Sequence, residues 1–234
     1  MPGMSDTHPG SPSRVGHARD ENDRATVEGD VVTAPTIDQG RAPDASLPSA
    51  YFEDVYAARA DPWDFETSAY EDAKYEATLA ALPRARYARG LEIGCSIGVL
   101  TARLAGRCDE LLGIDMVDAP LARARDRCRD RPHVHFERMT VPEEFPVGTF
   151  DLIVVSEVGY YWSVADLERA QRRISDGLAP HGHLLLVHWT PFVPDYPLTG
   201  DDVHDAFLTG AVDDVYHRGG RRAACYRLDL FERA

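Results

Sequence analysis

Lysine is nearly absent: Lys74 stands alone beside twenty-four arginines in a chain of 234 residues. Basic charge is scarce as well, with 25 Lys and Arg against 39 Asp and Glu and a formal net charge of −14. A surface of that sign repels nucleic-acid backbones and anionic lipid unless a local basic patch intervenes, and the sequence shows none. Long apolar runs are missing too. The longest, at residues 152–155 and 184–187, are of strand length, far below the roughly 20 residues a membrane span needs. No basic-then-apolar signal pattern opens the chain, so the reducing cytoplasm is the expected compartment. The four cysteines, Cys95, Cys108, Cys128 and Cys225, follow no paired or C-x-x-C spacing. That argues against a disulfide framework or a zinc cage and predicts free, buried thiols. His133/His135 and His181/His183 have strand-like spacing but no third ligand, so no metal site is expected.

Aromatic residues are missing from a whole region. None of the twenty-one Phe, Trp and Tyr falls in residues 1–50, which hold six of the sixteen prolines. So little apolar area cannot offset the entropy of ordering a chain, and residues 1–50 are expected to be a disordered tail. Residues 51–234 carry what the tail lacks. With 44% hydrophobic and 27% charged residues overall, the chain has the composition of a soluble globular enzyme, and its length allows one ordinary α/β domain or at most two small ones.

Order is expected to begin in residues 51–83, YFEDVYAARADPWDFETSAYEDAKYEATLAALP. Ser68 followed by Glu71 has the spacing of a capping box, and Tyr75, Leu79 and Leu82 recur on one helical face. The pattern predicts a helix over 68–82, ended by Pro83. Asp61, Pro62 and Trp63 make a turn between this helix and a shorter one upstream. From Gly90 onward, strand patterns at 90–93, 110–114, 134–138, 150–155 and 183–189 alternate with helical ones at 98–105, 119–130 and 164–178. Leu167, Ala170, Ile174 and Leu178 form the apolar stripe of the last helix. Strands joined by crossover helices mean right-handed connections, so the expected class is α/β with a Rossmann-like, doubly wound, mostly parallel sheet. After Thr190 the pattern changes. A proline-rich loop, a short helix near 201–208 and two runs flanking Gly219-Gly220 predict an antiparallel hairpin closing the sheet.

The stretch LEIGCSIGVLTARLA, residues 91–105, is the most informative. A strand ends at Glu92-Ile93, Gly94 and Gly98 bracket a tight turn, and a helix starts at once. Glycine is needed where backbone passes close to a bound ligand, because a Cβ would collide with it. The spacing is G-x-x-x-G, with an acid two residues before the first glycine. A dinucleotide fold shows G-x-G-x-x-G instead, so a nicotinamide oxidoreductase ranks last. Twenty-one residues after Gly94, a second strand ends in Asp115. At the C-terminal edge of a parallel sheet this carboxylate is placed to accept from both ribose hydroxyls of a nucleoside. Asp118 and Pro120 are expected as N-cap and first-turn residue of the next helix.

Together these features resemble the class I S-adenosylmethionine-dependent methyltransferases over residues 51–234. The matching pieces are EIGCSIG, the acid in GIDM, the strand FDLIVVSEV, and ISDGLAPHGHLLLV, which is similar to the family's turn before its fifth strand. Ser96 stands where many members carry a third glycine. The D-P-W-x-x-x-x-S-x-Y-E signature from Asp61 to Glu71 resembles that of the nodulation protein S (NodS) group, which implies a helical lid over 51–89. The resemblance implies S-adenosyl-L-methionine as cofactor and methylation of a free amine on a de-N-acetylated sugar of an oligosaccharide. It further implies that Glu92, Gly94, Cys95 and Gly98 surround the amino-acid part of the cofactor and that Asp115 holds the ribose. Met116 would pack on the adenine, Met139 and Thr140 meet its edge, and the Ser156 carbonyl meet the methionine amino group. Trp63, from the lid, would present its face to the sulfonium. Core packing is the plainer alternative for Met139 and Trp63; for Lys74, a candidate to pair with the cofactor carboxylate, pairing with Glu71 is the plainer one.

SEVGYYW follows the fourth strand, where open α/β sheets bind ligands. Glu157, Tyr160, Tyr161 and Trp162 are therefore candidates for the acceptor wall, with His188 and Trp189 reaching the same space from the fifth strand. Methyl transfer is an in-line displacement that needs a neutral nucleophile about 3 to 3.5 Å from the carbon. Glu157 or His188 is the candidate to take the amine's proton and Tyr161 the candidate to hold its lone pair in line. Two alternatives stay open: Glu157 gripping the cofactor, and His188 as a satisfied core histidine. The same fold would also serve a natural-product O-methyltransferase, or a non-catalytic protein that kept the architecture. A small-molecule or oligosaccharide acceptor is expected, with no nucleic-acid or membrane partner, and the oligomeric state is open.

Overall fold

A computed structural model describes residues 45–210 and 214–234 of the protein. Seven strands form one sheet in the order β3-β2-β1-β4-β5-β7-β6. They are β1 (Tyr87–Ile93), β2 (Cys108–Asp115), β3 (Val134–Arg138), β4 (Phe150–Ser156), β5 (Leu178–Trp189), β6 (Val215–Arg222) and β7 (Tyr226–Arg233). The first five are parallel; β7 runs antiparallel to β5, and β6 antiparallel to β7. Ile93 lies level with Ile114 on one side and Val155 on the other, so three strands stop together at one edge. This is the expected doubly wound, mostly parallel sheet with an antiparallel C-terminal edge.

Successive side chains of a strand enter opposite faces, and here both faces are covered, which explains the unbroken apolar runs. Ile153, Val155, Leu184 and Leu186 pack with α1 (Ser49–Ala58), α5 (Val164–Gly177) and α6 (Gly200–Thr209). Leu152, Val154, Leu185 and Val187 pack on the other side with α2 (Ala69–Ala80) and α3 (Val99–Leu104). The remaining helix, α4 (Asp118–Arg127), crosses from β2 to β3. No helix among the described residues is long and apolar enough to cross a membrane. Cys95, Cys108 and Cys128 are buried, Cys225 is half-buried, and all four are free.

Several local expectations are corrected. Order starts before residue 51: Leu47 is buried, and its N–H donates to the Tyr161 carbonyl at 2.9 Å. The Ser46 hydroxyl accepts from the Ser163 N–H at 2.8 Å and donates to Asp166. Residues 45–50 are therefore part of the domain, while the rest of the expected tail, 1–44, lies outside the described residues. At α2 only half of the capping box forms. Ser68 accepts from the Glu71 N–H, but the Glu71 carboxylate turns to Lys74. Val117, not Asp118, caps α4, because the Asp115 carboxylate captures the Val117 N–H and turns the chain early. The fifth strand starts at Leu178, so the expected turn before it is an irregularity in its pairing with β4. Gly219-Gly220 sits inside β6 rather than at the hairpin tip. A Cβ on Gly220 would lie 2.0 Å from Asp229 Oδ1, so the residue is small to make room and not to turn the chain.

Candidate active site

The level ends of β1, β2 and β4 open into a cavity of about 590 Å³, within the range of small-molecule sites. Its floor is the turn after β1. Gly94 adopts a φ of +80°, and the N–H groups of Gly94 and Cys95 both donate to the Ile114 carbonyl. The next N–H, of Ser96, donates to Asp115 Oδ2 at 3.0 Å, and that of Val117 to Oδ1 at 3.0 Å. Each carboxylate oxygen is thus oriented by a backbone N–H. Burial pushes the Asp115 carboxyl up to about 6, against the pull of the Val117, Ser96 and Met116 N–H groups. It is ionised at neutral pH. Burial pushes Glu92, whose side chain also lines the cavity, up to about 8, so Glu92 is neutral at pH 7. The Cys95 thiol is likewise held well above its ordinary value by burial, which rules out an easily formed thiolate nucleophile.

Gly98 departs from expectation. It is absent from the cavity wall, and a Cβ there would sit 2.8 Å from Ala124 Cβ and 2.9 Å from its Cα. With φ at +75° it caps α3 and lets that helix approach α4. Its smallness serves helix packing.

The N-terminal segment closes the cavity from above. Asp61 accepts from the Phe65 and Glu66 N–H groups at 2.9 and 3.0 Å and shapes the turn that carries Trp63. Trp63 stacks on Phe65 and meets Tyr56 edge-on, with ring centroids 5.5 and 5.6 Å apart. All three line the cavity. The Tyr56 hydroxyl lies 2.6 Å from Ser96 Oγ. This bond ties the N-terminal segment to the floor turn. Met116, Met139, Thr140 and Ser156 also face the cavity.

The opposite wall is held by charge. Glu157 follows β4 with a φ of +57°, an uncommon conformation for a non-glycine residue. Its Oε1 accepts from Lys74 Nζ at 2.6 Å; its Oε2 accepts from the Tyr160 hydroxyl at 2.7 Å and the Trp189 N–H at 2.9 Å. Lys74 is 2% exposed and also bonds Glu71 at 2.9 Å. Burial disfavours its charge, but the two carboxylates outweigh burial and raise its pKa. The local pairing with Glu71 is present; the bond to Glu157 across 83 residues is not legible in the spacing. A faint signal exists: Glu71, Lys74, Tyr75 and Thr78, the buried face of α2, repeat at helical spacing although three of them are polar or charged.

Tyr161 lies on this wall, packed edge-on against Tyr196, which sequence reasoning missed. Tyr160 stacks on the same Tyr196 ring at 5.2 Å. Burial holds the Tyr160 and Tyr161 phenols well above their ordinary value, so both remain protonated. Trp162 and Trp189 complete the wall. His188 does not join them. It is fully buried, its Nε2 accepts from the Gly159 N–H at 3.1 Å, and its Nδ1 faces His204 at 3.1 Å. The expected reach of His188 into the acceptor space is corrected by strand alternation, which turns it toward α6. No group of side chains among the described residues is arranged to hold a metal ion.

Comparison with known proteins gives these features a family. The nodulation protein S (NodS) profile matches residues 53–188. Nodulation protein S of Sinorhizobium fredii is 35% identical over 130 residues, which are 55% of this chain and 60% of that protein. Its counterpart in Rhizobium tropici is 34% identical over 127 residues, 53% of each. The match thus spans little more than half the length of these curated relatives. Among solved structures, N-methyltransferase NodS from Bradyrhizobium japonicum WM9, in complex with S-adenosyl-L-homocysteine, is 26% identical. It superposes with a TM-score of 0.66 over 78% of this chain and 97% of that one. The seven-stranded sheet with its antiparallel C-terminal strands is the Rossmann-like class I methyltransferase fold. With a profile match over more than half of its length, the chain belongs to the nodulation protein S (NodS) family.

Proposed function

We propose that the protein is an S-adenosylmethionine-dependent methyltransferase that N-methylates a free amine of an amino-sugar-containing acceptor. The observation that carries the reading is Asp115: buried at the cavity floor, with one oxygen oriented by the Ser96 N–H and the other by the Val117 N–H. That is the pair of acceptors a ribose diol requires. The cavity fits the cofactor in other respects too. Gly94 lines the floor at a φ of +80°, where a Cβ would meet Val158 at 3.0 Å, Met116 and Met139 offer apolar faces for a base, and Trp63 offers an aromatic face for a cation. Bound there, S-adenosylmethionine supplies an electrophilic methyl group on a positively charged sulfur.

The remaining chemistry belongs to the opposite wall. Glu157 is held by Lys74, Tyr160 and Trp189, and one lone pair of Oε1 remains for an N–H of the acceptor. An acceptor amine bonded there would be oriented by Glu157, and Oε1 would receive the proton the amine gives up on methylation. Tyr161 stays protonated and orients the acceptor. The aromatic ring cluster of Tyr160, Tyr161, Tyr196 and Trp189 excludes water, which favours the neutral amine.

The test is transfer to glucosamine compared with N-acetylglucosamine, followed by mass spectrometry. Glucosamine should gain one methyl group and its acetylated form none, because acetylation delocalises the nitrogen lone pair. Methylation of hydroxyl-only acceptors with none on any amino sugar would overturn the amine assignment in favour of O-methyl transfer.

A further inference from the structure

Behind the acceptor wall runs a hydrogen-bonded chain that the reaction as derived does not use. The Gly159 N–H donates to His188 Nε2 at 3.1 Å. His188 Nδ1 lies 3.1 Å from His204 Nε2, and His204 Nδ1 lies 2.7 Å from Asp229 Oδ2. His188 and His204 are both 0% exposed and Asp229 is 4% exposed. At its outer end Asp229 also accepts from Arg227 Nε at 2.8 Å and contacts His217 Nε2 at 2.8 Å.

The proton positions in this chain are determined. A backbone N–H only donates, so His188 Nε2 must be an acceptor and the ring's proton sits on Nδ1. His204 Nε2 then accepts that proton's bond, which puts the His204 proton on Nδ1, facing Asp229. Every bond is satisfied with both rings neutral. Burial, which holds both imidazoles below their ordinary pKa, agrees with that state. A proton added at His188 Nε2 would face the Gly159 N–H and break the inner end.

That inner end touches the site. Gly159 opens the tight Gly159–Tyr161 turn, and a Cβ on it would lie 2.9 Å from His188 Nε2. The His188 ring also meets the Tyr160 ring edge-on at 5.6 Å. Tyr160 in turn donates to Glu157, as does the N–H of Trp189, the residue after His188. We propose that His188, His204 and Asp229 are positioning residues: a buried chain of one proton direction that holds the Gly159–Tyr161 turn on β5 and so sets where Glu157 and Tyr160 meet the acceptor. The proposal rests on the methyltransferase reading for its consequence in turnover, not for its geometry.

Nitrogen NMR of histidine-labelled wild-type protein should show both rings neutral with the proton on Nδ1. Asp229→Asn, two rings away, should shift the Gly159 amide resonance. With glucosamine as acceptor, His188→Leu should raise KM about tenfold, the scale of one lost buried hydrogen bond. Calorimetric affinity for S-adenosylhomocysteine should meanwhile change less than about twofold, since the floor turn is untouched. His188→Gln, whose Oε1 replaces Nε2 as acceptor, should recover most of the loss. A proton on His188 Nε2, an unmoved Gly159 resonance in Asp229→Asn, equal losses in the Leu and Gln variants, or a parallel fall in S-adenosylhomocysteine affinity would each overturn the proposal. If the wild type does not methylate glucosamine, it is the acceptor reading that fails, and the two NMR measurements still decide the chain.

Discussion

The two sides of the cavity are built from different material. On the β1–β2 side the geometry is set by backbone: N–H groups of Gly94, Cys95, Ser96 and Val117 grip Ile114 and Asp115 within one short stretch of chain. On the β4–β5 side it is set by side chains from distant elements: Lys74 of α2, Glu157 after β4, the Trp189 N–H at the end of β5, and Tyr196 in the loop beyond. Backbone geometry survives most substitutions, whereas side-chain geometry changes with a single one. On the proposed reading the first side fixes the class of reaction and the second the acceptor, the division by which one fold serves many substrates.

The sharpest way to break this contrast is at the ion pair. Lys74→Met leaves buried Glu71 and part-buried Glu157 without their cation, and denaturant unfolding should show a loss of about 3 kcal/mol. The double variant Lys74→Met/Glu157→Gln should recover part of it. A loss below about 1 kcal/mol would mean that the acceptor wall is held by packing instead. Truncation at the N-terminus should be milder. Compared with a chain starting at residue 45, one starting at residue 49 lacks buried Leu47 and the Ser46 bonds to Ser163 and Asp166, a cost of about 2 kcal/mol. Equal melting temperatures for the two truncations would contradict it.

The floor should respond to pH. On the proposed reading the Asp115 carboxylate, pushed up to about 6 by burial, holds the ribose hydroxyls, so S-adenosylhomocysteine affinity should be level above pH 7. It should fall about tenfold by pH 5 as the group protonates. The sign for folding is the reverse. A carboxyl raised by burial keeps a proton that the unfolded chain has released, so its contribution to stability is present at acid pH and is lost as pH rises toward 6. Calorimetry across that range checks the first statement and urea unfolding the second. The smallest effect is expected at the lid: Tyr56→Phe removes one bond to Ser96 and should weaken S-adenosylhomocysteine by about fivefold, near 1 kcal/mol.

What could be read from the sequence follows the same division. Gly94 and Asp115 were legible because the turn, the strand ends and the acid are contiguous signals of one local geometry. Gly98 misled because the same glycine spacing also suits close helix packing, and its neighbour Ala124 lies on a helix whose approach the sequence does not announce. Gly219-Gly220 misled for a similar reason, since space for Asp229 and a hairpin tip both call for glycine. His188 was misplaced although a signal existed. Leu184 and Leu186 face the α5–α6 side, and alternation carries His188 to that side as well. The Lys74–Glu157 bond had no such signal, because pairing across 83 residues depends on how α2 docks over the strand ends.

The central claim is that Asp115 and the turn at Gly94 hold the cofactor. Titration of S-adenosylhomocysteine into the wild-type protein and into Asp115→Ala, followed by calorimetry, tests it most directly. The account predicts saturable one-to-one binding by the wild type and an affinity about a hundredfold lower in the folded variant, the cost of about 3 kcal/mol for two charge-assisted hydrogen bonds. Equal affinity in the two proteins would contradict it.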